Sequence, residues 1–503
     1  MGNTNLQGNK TTEEDPTGAL EISELPQNRE GIMKQLWKIA RNDENRIFQI
    51  VVAVACITAS FLIGVFYQDE VFFKGWQVLI WVLSLIFLFV ELVPKRKIAL
   101  TPNRIWAAIG AIVLVGFLLR AVGLGAFPPG FHVDEVGTAS FSLIHTFPNP
   151  NETINPFVTG NNSHPILYNY ILRFFMDVFG YTIAGDRLSS AVAGTLAIFA
   201  TFFMVKEFSG NRAAIIAAIV IASYNVHIHW SRIALNNIWT TLWVPLAIAF
   251  FVWGWRKKWS GGALFAGLAL GLTAYFYSGG YIVIFLMLYL VLKMWRETDH
   301  RVGFTIYTGK MLVMALCTSL PLIIFALANQ KIFFFRANEI YAWKPEAAKI
   351  LMGDQVNYVS FFWTQFSGAF GVYNIIPEQS GYYASTVPLI LGAASILFLV
   401  GIGWAYYRKL FLPIIWVLYV TIMGGFLVAP PPSSSHYIAA IPAICWLISI
   451  PIDQMFSTNR RVWAITLLLA IVFVDLFFYF YVYHAMPCRD LIIPFPQVPN
   501  FTS

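Results

Sequence analysis

Residues 47–66 read IFQIVVAVACITASFLIGVF, a run of 20 residues that contains no charged side chain. A helix needs about 20 predominantly apolar residues to cross the hydrocarbon core of a bilayer. Comparable runs recur along the chain and begin near Ile47, Trp76, Ile105, Arg187, Ala213, Ile238, Gly262, Tyr281, Lys310, Thr386, Phe411, Tyr437 and Val462. The pattern predicts an all-α polytopic membrane protein with a bundle of about 13 transmembrane helices.

The composition of the 503 residues supports this class. Hydrophobic residues make up 58% of the chain and charged residues 12%, whereas a soluble domain carries about 25% charged residues. These fractions exclude a chain of several soluble domains, and also the disordered, collagen-like and disulfide-rich classes. The formal net charge of +7 is explained by Lys and Arg in cytoplasmic loops, so no nucleic-acid partner is predicted.

The positions of the basic residues predict the orientation of the chain in the membrane. Basic clusters precede the first apolar run, follow the second and recur at alternate connections. They are Lys34/Lys38/Arg41/Arg46, Lys95/Arg96/Lys97/Arg104, Lys206/Arg212, Arg256/Lys257/Lys258, Lys293/Arg296/Arg301, Arg408/Lys409 and Arg460/Arg461. All of them fall on one side if the runs alternate, which predicts a cytoplasmic N-terminus and an outside C-terminus.

The same pattern divides the chain into four parts. They are a disordered cytoplasmic tail (residues 1–46), two accessory transmembrane helices (47–94), the main transmembrane region (95–454), and the last transmembrane helix with an outer tail (455–503). Two long connections, residues 127–186 and 329–385, are predicted to lie outside. Long loops usually carry function, so we expect the functional site there.

Two adjacent acids stand at the start of the first long connection. After the turn PPG at residues 128–130, His132, Asp134 and Glu135 follow immediately. Neighbouring residues on a helix diverge by about 100°, so the two carboxylates cannot share one role. We expect one to face a site and the other to cap the helix or to pair with a cation.

A short amphipathic segment follows in the same connection. His164-Pro165 begins the stretch HPILYNYILRFFMDVFG, which ends at Gly180 and is too short to cross a bilayer. Pro165 suits the first turn of a helix. We expect this helix to lie along the membrane surface.

The order of these motifs resembles the GT-C glycosyltransferases. PPGFHVDE at residues 128–135, followed by HPILY at residues 164–168, is similar to the group of protein mannosyltransferases, aminoarabinose transferases and rhizobial-type glycosyltransferases. Weaker matches are WSRIALNN at residues 230–237 and the pair His436-Tyr437. The resemblance covers roughly residues 105–454. It implies a GT-C-like bundle in which residues 95–454 are catalytic, with interfacial helices in the first long outer loop.

The resemblance also implies a reaction. Members of the group move a sugar from a polyprenyl-phosphate-linked donor to an acceptor hydroxyl on the extracytoplasmic face. Asp134 then corresponds to the general base of an inverting displacement, and the acceptor is a lipid, a glycan or a protein within reach of the bilayer. Some members use a divalent cation, which leaves that cofactor open; no metal-ligand cluster is predicted from this sequence.

The donor phosphate should bind cations and hydrogen-bond donors near the membrane boundary. The candidates for this role are Arg232, His164, His436 and Arg336. Asp134 and Glu135 are the candidate catalytic acids, and the further site candidates are His132, Arg120, Asn236, Asn237 and Tyr168. For Arg232 the alternative is an interfacial anchor, and for Asp134 it is helix capping.

Other residues of the same regions are predicted to be structural. Arg120 and Arg187 lie near the ends of apolar helices, where we expect them to pair with acids such as Asp134, Glu135 or Asp186. Four tyrosines near the outer boundaries are predicted to belong to an aromatic belt: Tyr275, Tyr277, Tyr382 and Tyr383.

Two other classes of function stay open at this point. A secondary transporter often shows repeated halves and ionisable groups near mid-membrane. Here no clear repeat is visible, and the polar candidates cluster at the outer boundary. A flippase or a ligase of lipid-linked sugars would share the apolar groove, the outer loops and the basic residues. The place of Asp134 beside the first long loop favours a transferase over both.

Overall fold

The computed structural model describes residues 44–66, 76–93, 104–146, 154–160, 163–353, 357–383, 385–428 and 433–486. The chain divides into two units, residues 1–50 and 51–503, and the second holds nearly all of the described helices. The predicted cytoplasmic tail up to residue 43 and the predicted outer tail beyond residue 486 lie outside the described residues.

The described residues are helical almost throughout. The first half contains α1 (Glu44–Phe66), α2 (Trp76–Leu92), α3 (Arg104–Ala121), α4 (Val133–His145), α5 (Leu167–Phe179), α6 (Ile183–Ser223), α7 (Asn225–Trp230), α8 (Thr240–Arg256) and α9 (Ser260–Thr273). The second half contains α10 (Ile282–Glu297), α11 (Arg301–Ala328), α12 (Gln330–Phe333), α13 (Phe335–Ile340), α14 (Pro345–Met352), α15 (Tyr358–Gly371), α16 (Gly392–Tyr407), α17 (Phe411–Thr421), α18 (Ser434–Tyr437), α19 (Ile441–Ser457) and α20 (Arg461–Phe477). In this part of the chain the β structure consists of isolated bridges, so the all-α prediction is confirmed.

The transmembrane prediction is also confirmed in its coarse form. Within the described residues, 8 helices are long and apolar enough to cross a membrane, and four shorter apolar helices accompany them. Helix α6 is interrupted at Gly210, whose φ of +81° and ψ of 175° are not helical, so its 41 residues form two segments. With α6 counted as two, these segments correspond to all of the predicted apolar runs. The chain is an integral multi-pass membrane protein, and the orientation of its termini stays a prediction.

Two helices of the first long connection are too short to cross the membrane. Helices α4 and α5 have 13 residues each. Helix α5 begins within the stretch predicted for it and ends at Phe179, and it is capped by Gly180, whose φ of +97° favours glycine. Its buried face includes Tyr168, Leu172 and Met176 at four-residue spacing, and it packs against α4 and α6. The helix is therefore confirmed, while its position on the membrane surface stays a prediction.

Helix α6 lies at the centre of the bundle. It packs against α3, α5, α8 and α19 through a buried face rich in alanine and glycine. Small residues let helices approach closely. At Gly194 a Cβ would lie 2.0 Å from Ser231 Oγ, so only glycine admits the connection between α6 and α8 at this place. Several of the predicted site residues lie on that connection.

Candidate functional site

A capping box at the start of α4 fixes the directions of Asp134 and Glu135. His132 is the N-cap residue, and its Nδ1 accepts a hydrogen bond from the backbone N–H of Asp134 at 3.0 Å. In return, Glu135 Oε2 accepts from the backbone N–H of His132 at 3.1 Å. Both acids thus lie in the first helical turn, where their side chains diverge as predicted.

Glu135 is buried and forms an ion pair with Arg187. Its Oε1 and Oε2 accept from Arg187 Nε at 2.8 Å and Nη2 at 2.9 Å, and Oε1 also accepts from the backbone N–H of Ala234 at 2.8 Å. The pair connects α4, α6 and the connection before α8. It confirms the predicted pairing of Arg187. It also corrects the placement of Glu135 among the catalytic acids, because this carboxylate is enclosed by its partners and lines no part of the cavity beside α4.

Asp134 faces a cavity of ≈370 Å³. The walls come from α4, α5 and α13, from the connections between α7 and α8 and between α9 and α10, and from the segments before α5, α16 and α19. The cavity brings together most of the predicted site residues: Asp134, His164, Tyr168, Asn236, Asn237, Arg336 and His436. Residues that are up to 302 positions apart in the chain therefore share one site.

The Asp134 carboxylate has a tyrosine partner from the second long connection. Tyr382 Oη donates a hydrogen bond to Asp134 Oδ2 at 2.5 Å, and the Tyr382 ring lies against His132 with centroids 4.5 Å apart. Burial and the negative charge of Asp134 raise the pKa of Tyr382, so the phenol keeps its proton. The backbone is held as well, because His229 Nε2 donates to Tyr382 O at 2.8 Å. Tyr382 is therefore a site residue, which corrects its assignment to an aromatic belt.

Arg336 is the only permanently positive side chain among the described residues that line the cavity. It lies on α13 and contacts Glu339, with 3.3 Å between Nη1 and Oε2. About half of each side chain is exposed, and exposed pairs of this kind are weak. The guanidinium can therefore exchange this partner for an anionic ligand at little cost.

His164 lines the same cavity as a neutral group. Burial and the positive charge of Arg336 lower the pKa of His164 to about 4. At neutral pH its imidazole consequently offers one N–H donor and one acceptor nitrogen, but no positive charge. In the free protein, His164 is therefore ready to form hydrogen bonds with a phosphate but carries no positive charge to attract it.

Neutral polar side chains complete the walls: Thr138, Tyr168, Asn169, Asn236, Asn237, Tyr277, Ser278, Gln379, Ser380, Ser433 and Ser435. Two of them are oriented by the backbone. Asn236 Nδ2 donates to Phe276 O at 3.0 Å, and Asn237 Nδ2 donates to Ser435 O at 3.3 Å. A wall of fixed amides and hydroxyls suits a ligand that carries many hydroxyl groups.

Glu378 fastens the second long connection to the segment before α19. Its Oε1 accepts from the backbone N–H of Ser380 at 3.0 Å and from that of Ser434 at 2.8 Å. Burial raises the pKa of Glu378. Neither Glu378 nor Tyr382 is predicted from the sequence as a site residue. The only signal is that the stretch PEQSGYY at residues 377–383 places an acid and two tyrosines within a long loop.

Arg232 lies apart from the cavity. Its guanidinium nitrogens donate to the main-chain carbonyls of Leu119, Arg120, Val122 and Phe127 at 2.8 to 3.2 Å. These carbonyls belong to the end of α3 and the turn after it, where a helix presents unsatisfied acceptors and the negative end of its dipole. The expectation that Arg232 binds the donor phosphate is thereby corrected, because its donors are already used.

Arg120 and His132 do not line the cavity either. Arg120 donates to the carbonyls of Gly116, Ile221 and Ala222, to Ser231 Oγ and to His227 Nδ1. The prediction that Arg120 pairs with an acid is therefore wrong: helix-end carbonyls and neutral side chains surround it instead. His132 acts as the helix cap beneath the ring of Tyr382.

Within the part of the chain that the structure describes, no group of three or more His, Cys, Asp or Glu side chains could hold a metal ion. The neighbouring histidines of α7 are engaged elsewhere. His227 Nε2 contacts Thr241 Oγ1 at 3.1 Å, while His229 binds the second long connection. The divalent cation left open by the sequence stays open.

The family model for dolichyl-phosphate-mannose-protein mannosyltransferases matches residues 163–328. This match confirms the predicted resemblance to protein mannosyltransferases over that range, from α5 to the end of α11. Of the cavity residues, His164 and Tyr168 lie inside the matched range, whereas Asp134 and Arg336 lie outside it. Among curated proteins, no sequence match to this chain is found.

Three solved structures are similar to the chain at low identity. The oligosaccharyltransferase AglB from Archaeoglobus fulgidus, in complex with an inhibitory peptide and a dolichol-phosphate, is 15% identical with a TM-score of 0.47, over 76% of this chain and 55% of that chain. ArnT from Cupriavidus metallidurans, bound to undecaprenyl phosphate, is 13% identical with a TM-score of 0.44, over 73% and 63%. The S. cerevisiae protein O-mannosyltransferase complex, bound to the sugar donor, is 15% identical with a TM-score of 0.38, over 52% and 38%. The chain thus spans less than two thirds of the length of each.

Proposed function

We propose that the protein is a membrane glycosyltransferase that moves a sugar from a polyprenyl-phosphate-linked donor to an acceptor hydroxyl on the extracytoplasmic face. The observation that carries the proposal is that one carboxylate, Asp134, and one permanent cation, Arg336, line the same polar cavity. This reaction needs a base for the acceptor and a cation for the phosphate. The family match over residues 163–328 supports the donor class.

Asp134 is the general base in this proposal. An alcohol is a weak nucleophile until its proton is being removed, so a carboxylate beside the acceptor hydroxyl speeds its attack. Tyr382 donates to Oδ2, which leaves Oδ1 to take the proton of the acceptor. Because the phenol keeps its own proton, it orients the carboxylate without competing for the proton of the acceptor.

The displacement inverts the anomeric carbon. The acceptor oxygen attacks from the side opposite the phosphate, and its new bond to carbon forms while the bond from carbon to the phosphate oxygen breaks. The electron pair of the broken bond leaves with the lipid phosphate, and the acceptor proton passes to Asp134. The transition state has oxocarbenium character, as in glycoside hydrolysis. A lipid phosphate leaves readily, so no strong general acid is needed.

Arg336 stabilises the charge that develops on the departing phosphate. A guanidinium presents a planar fork that matches two phosphate oxygens. His164 and His436 line the cavity with Arg336 and add hydrogen bonds to the same group. Donors that are already in place at the developing charge supply the largest part of such catalysis.

The helices that lead away from the cavity support the proposed side of the membrane. Helices α6, α8 and α10 each begin near cavity residues, and each reaches a basic residue farther along: Lys206, Arg256 and Arg296. Basic residues collect at the cytoplasmic ends of transmembrane helices. The positive-inside rule therefore favours an extracytoplasmic cavity.

The test replaces Asp134 with asparagine, which keeps the shape of the side chain but cannot take a proton. Membranes that contain each variant are supplied with radiolabelled polyprenyl-phosphate sugars, and consumption of the donor is measured. Asp134→Asn should lower turnover by about 100- to 10,000-fold, which is the usual contribution of a general base to the rate. Asp177→Asn on α5, which removes an exposed carboxylate paired with Arg173, should leave turnover unchanged.

Two results would contradict the proposal. Full turnover by Asp134→Asn would remove this residue from the role of base. A wild-type protein that consumes no lipid-linked sugar, but moves one across vesicle membranes, would favour the flippase alternative.

A further inference from the structure

Helix α11 contains a proline, Pro321, seven residues before its end at Ala328. Proline has no backbone N–H, so the carbonyl four residues earlier, that of Cys317, lacks its usual partner within the helix. An unpaired carbonyl is costly where there is no water to bind it. Cys317 O therefore needs a donor from another segment.

The two accessory helices supply these donors. Ser60 Oγ of α1 donates to Cys317 O at 2.9 Å, and Trp81 Nε1 of α2 donates to the same oxygen at 3.1 Å. Both side chains are buried. A carbonyl oxygen has two lone pairs, so this acceptor is fully used by one residue from each accessory helix.

A glycine brings α1 close to the same turn of α11. A Cβ at Gly64 would lie 3.1 Å from the Cα of Pro321 and 2.6 Å from Cδ1 of Ile324. Gly64 is one helical turn after Ser60, so both residues lie on the face of α1 that meets α11. The hydrogen bond and the close approach thus form one docking contact.

Trp81 extends this contact toward the first long connection. Its ring packs edge-on against Phe157 and Tyr275, with centroid distances of 5.2 Å and 5.9 Å. Tyr275 Oη in turn donates to Thr318 O, the next carbonyl of α11, at 2.9 Å. The proline turn of α11 is therefore held at two successive carbonyls by side chains from outside the helix.

Helix α11 leads directly into the segment that carries Arg336. Helices α12 and α13 follow after Asn329, and no side chain in either helix is buried. At the far end of the segment, Ala342 N donates to Leu427 O at 2.9 Å and Trp343 Nε1 donates to Phe426 O at 3.0 Å. Phe333, close to the α11 end, packs half-buried against the core, and the segment otherwise takes its position from its two ends. One of these ends is α11.

We propose that the accessory helices position Arg336 for the donor phosphate by holding α11 at Pro321. Ser60 and Trp81 are positioning residues in this scheme, since they act on the cavity only through α11 and the segment that follows it. The family match begins at residue 163 and does not reach α1 or α2. The link to the donor rests on the proposed function, whereas the effect on the position of the segment does not.

The position of the segment is measurable without any assay of sugar transfer. Spin labels at Lys331→Cys on α12 and Val178→Cys on α5, both exposed positions, report their separation by pulsed EPR. The full chain is used with Cys488→Ser, because Cys56, Cys317 and Cys445 are buried. Ser60→Ala combined with Trp81→Phe should shift or broaden the distance distribution.

A matched control removes two hydroxyls from the same helices without touching α11. Thr58 Oγ1 and Ser84 Oγ donate to carbonyls within their own helices, so Thr58→Ala with Ser84→Ala should leave the distribution unchanged. If the Ser60/Trp81 double variant does not fold, Ser60→Ala alone keeps the Trp81 bond and should shift the distribution less.

Pro321→Ala provides an independent test of the mechanism. Alanine restores the N–H that Cys317 O lacks, so the helix then satisfies this carbonyl by itself. In the Pro321→Ala background, the Ser60→Ala and Trp81→Phe changes should alter the distance between the two spin labels only slightly. These variants form a double-mutant cycle, which measures the coupling between Pro321 and the pair Ser60 and Trp81. If the Ser60 and Trp81 changes alter the label distance equally with and without Pro321, the proposal is overturned.

The KM for the donor tests whether the position of the Arg336 segment affects donor binding. The Ser60/Trp81 double variant should raise the KM for the donor by about tenfold, the worth of a hydrogen bond, and leave the KM for the acceptor unchanged. An unaltered distance distribution overturns the proposal, and so does a shifted distribution with an unaltered donor KM. If the wild-type protein transfers no lipid-linked sugar, the proposed function fails, and the distance measurements still decide whether α1 and α2 position the segment.

Discussion

Tyr382 Oη lies 2.5 Å from Asp134 Oδ2, so a residue of the second long connection holds a carboxylate of the first, 248 positions away in the chain. The ring of Tyr382 also covers His132, which caps the helix that carries Asp134. One side chain thus joins the two loops across the cavity and restrains the proposed base at the same time.

The next residue, Tyr383, anchors this contact in the bundle. Tyr383 Oη donates to Asn225 Oδ1 at 2.6 Å, and the backbone N–H of Asn225 donates to Asp475 Oδ1 at 3.2 Å. Asp475 lies on α20, the last described long helix. The two adjacent tyrosines therefore connect α20 to the start of α4, and the position of Asp134 depends on both.

Replacing Tyr382 with phenylalanine should lower kcat, because the Tyr382 hydroxyl orients the Asp134 carboxylate toward the acceptor. Loss of this hydrogen bond should lower kcat by about tenfold. The measurement is kcat with a fixed lipid donor.

Tyr181 supplies the matched control for this prediction. Tyr181 Oη donates to the Asp177 carboxylate on α5, which reproduces the tyrosine–carboxylate contact outside the cavity. Tyr181→Phe should leave kcat unchanged. A Tyr382→Phe protein with the kcat of the wild type would limit Tyr382 to a packing role.

His164 should link donor binding to proton uptake. In the free protein burial and the positive charge of Arg336 lower its pKa to about 4, so the imidazole is neutral at neutral pH. A phosphate beside His164 opposes the charge of Arg336 and raises this pKa in the complex. Between the free and bound pKa values, binding takes up protons, and donor affinity therefore increases as the pH falls toward 4.

Calorimetric titration with undecaprenyl phosphate, in buffers that differ in ionisation enthalpy, measures this uptake. We expect uptake at about pH 5 and little at about pH 8. His164→Asn should abolish it, while His300→Asn, which changes an exposed histidine, should not. Equal uptake by the wild-type and His164→Asn proteins would assign the proton to another group.

Arg336→Gln should raise the KM for the donor by about 10- to 100-fold, because a charge-assisted bond to phosphate is worth roughly 1.5–3 kcal/mol. The KM for the acceptor should not change, since the cation is proposed to contact only the phosphate. Arg336→Lys keeps the charge but loses the fork, so an intermediate value is expected. Lys331→Gln removes a neighbouring exposed cation that does not line the cavity, and it should behave as wild type.

The sequence predicts features whose cause is local. Bilayer thickness sets the length of a transmembrane run, so each apolar segment could be recognised from the sequence. This includes the two segments of α6, which meet at the non-helical Gly210. The divergence of Asp134 and Glu135 also follows from the geometry of a single helical turn. Both predictions need no knowledge of what packs against the segment.

Features that depend on a partner distant in the chain cannot be predicted from a local sequence pattern. Tyr382 and Tyr383 are adjacent tyrosines in one loop, yet one reaches the cavity and the other the bundle. Arg232 and Arg120 bind main-chain carbonyls, which every residue possesses and which therefore leave no trace in the pattern of side chains. Their placement follows only from the way α3, α6 and α7 come together.

Arg232 and Arg336 should consequently give opposite results when each is changed to glutamine. Arg232 satisfies carbonyls at the end of α3 and the turn after it, so its loss should lower the free energy of unfolding by on the order of 3 kcal/mol. The surviving enzyme should keep its ratio of donor KM to acceptor KM. Arg336 is half exposed, so its replacement should leave the unfolding temperature unchanged and affect only donor use. Thermal unfolding in detergent, measured together with both KM values, distinguishes the two variants. An Arg232→Gln protein that is fully stable but has a raised KM for the donor alone would show that Arg232 binds the phosphate.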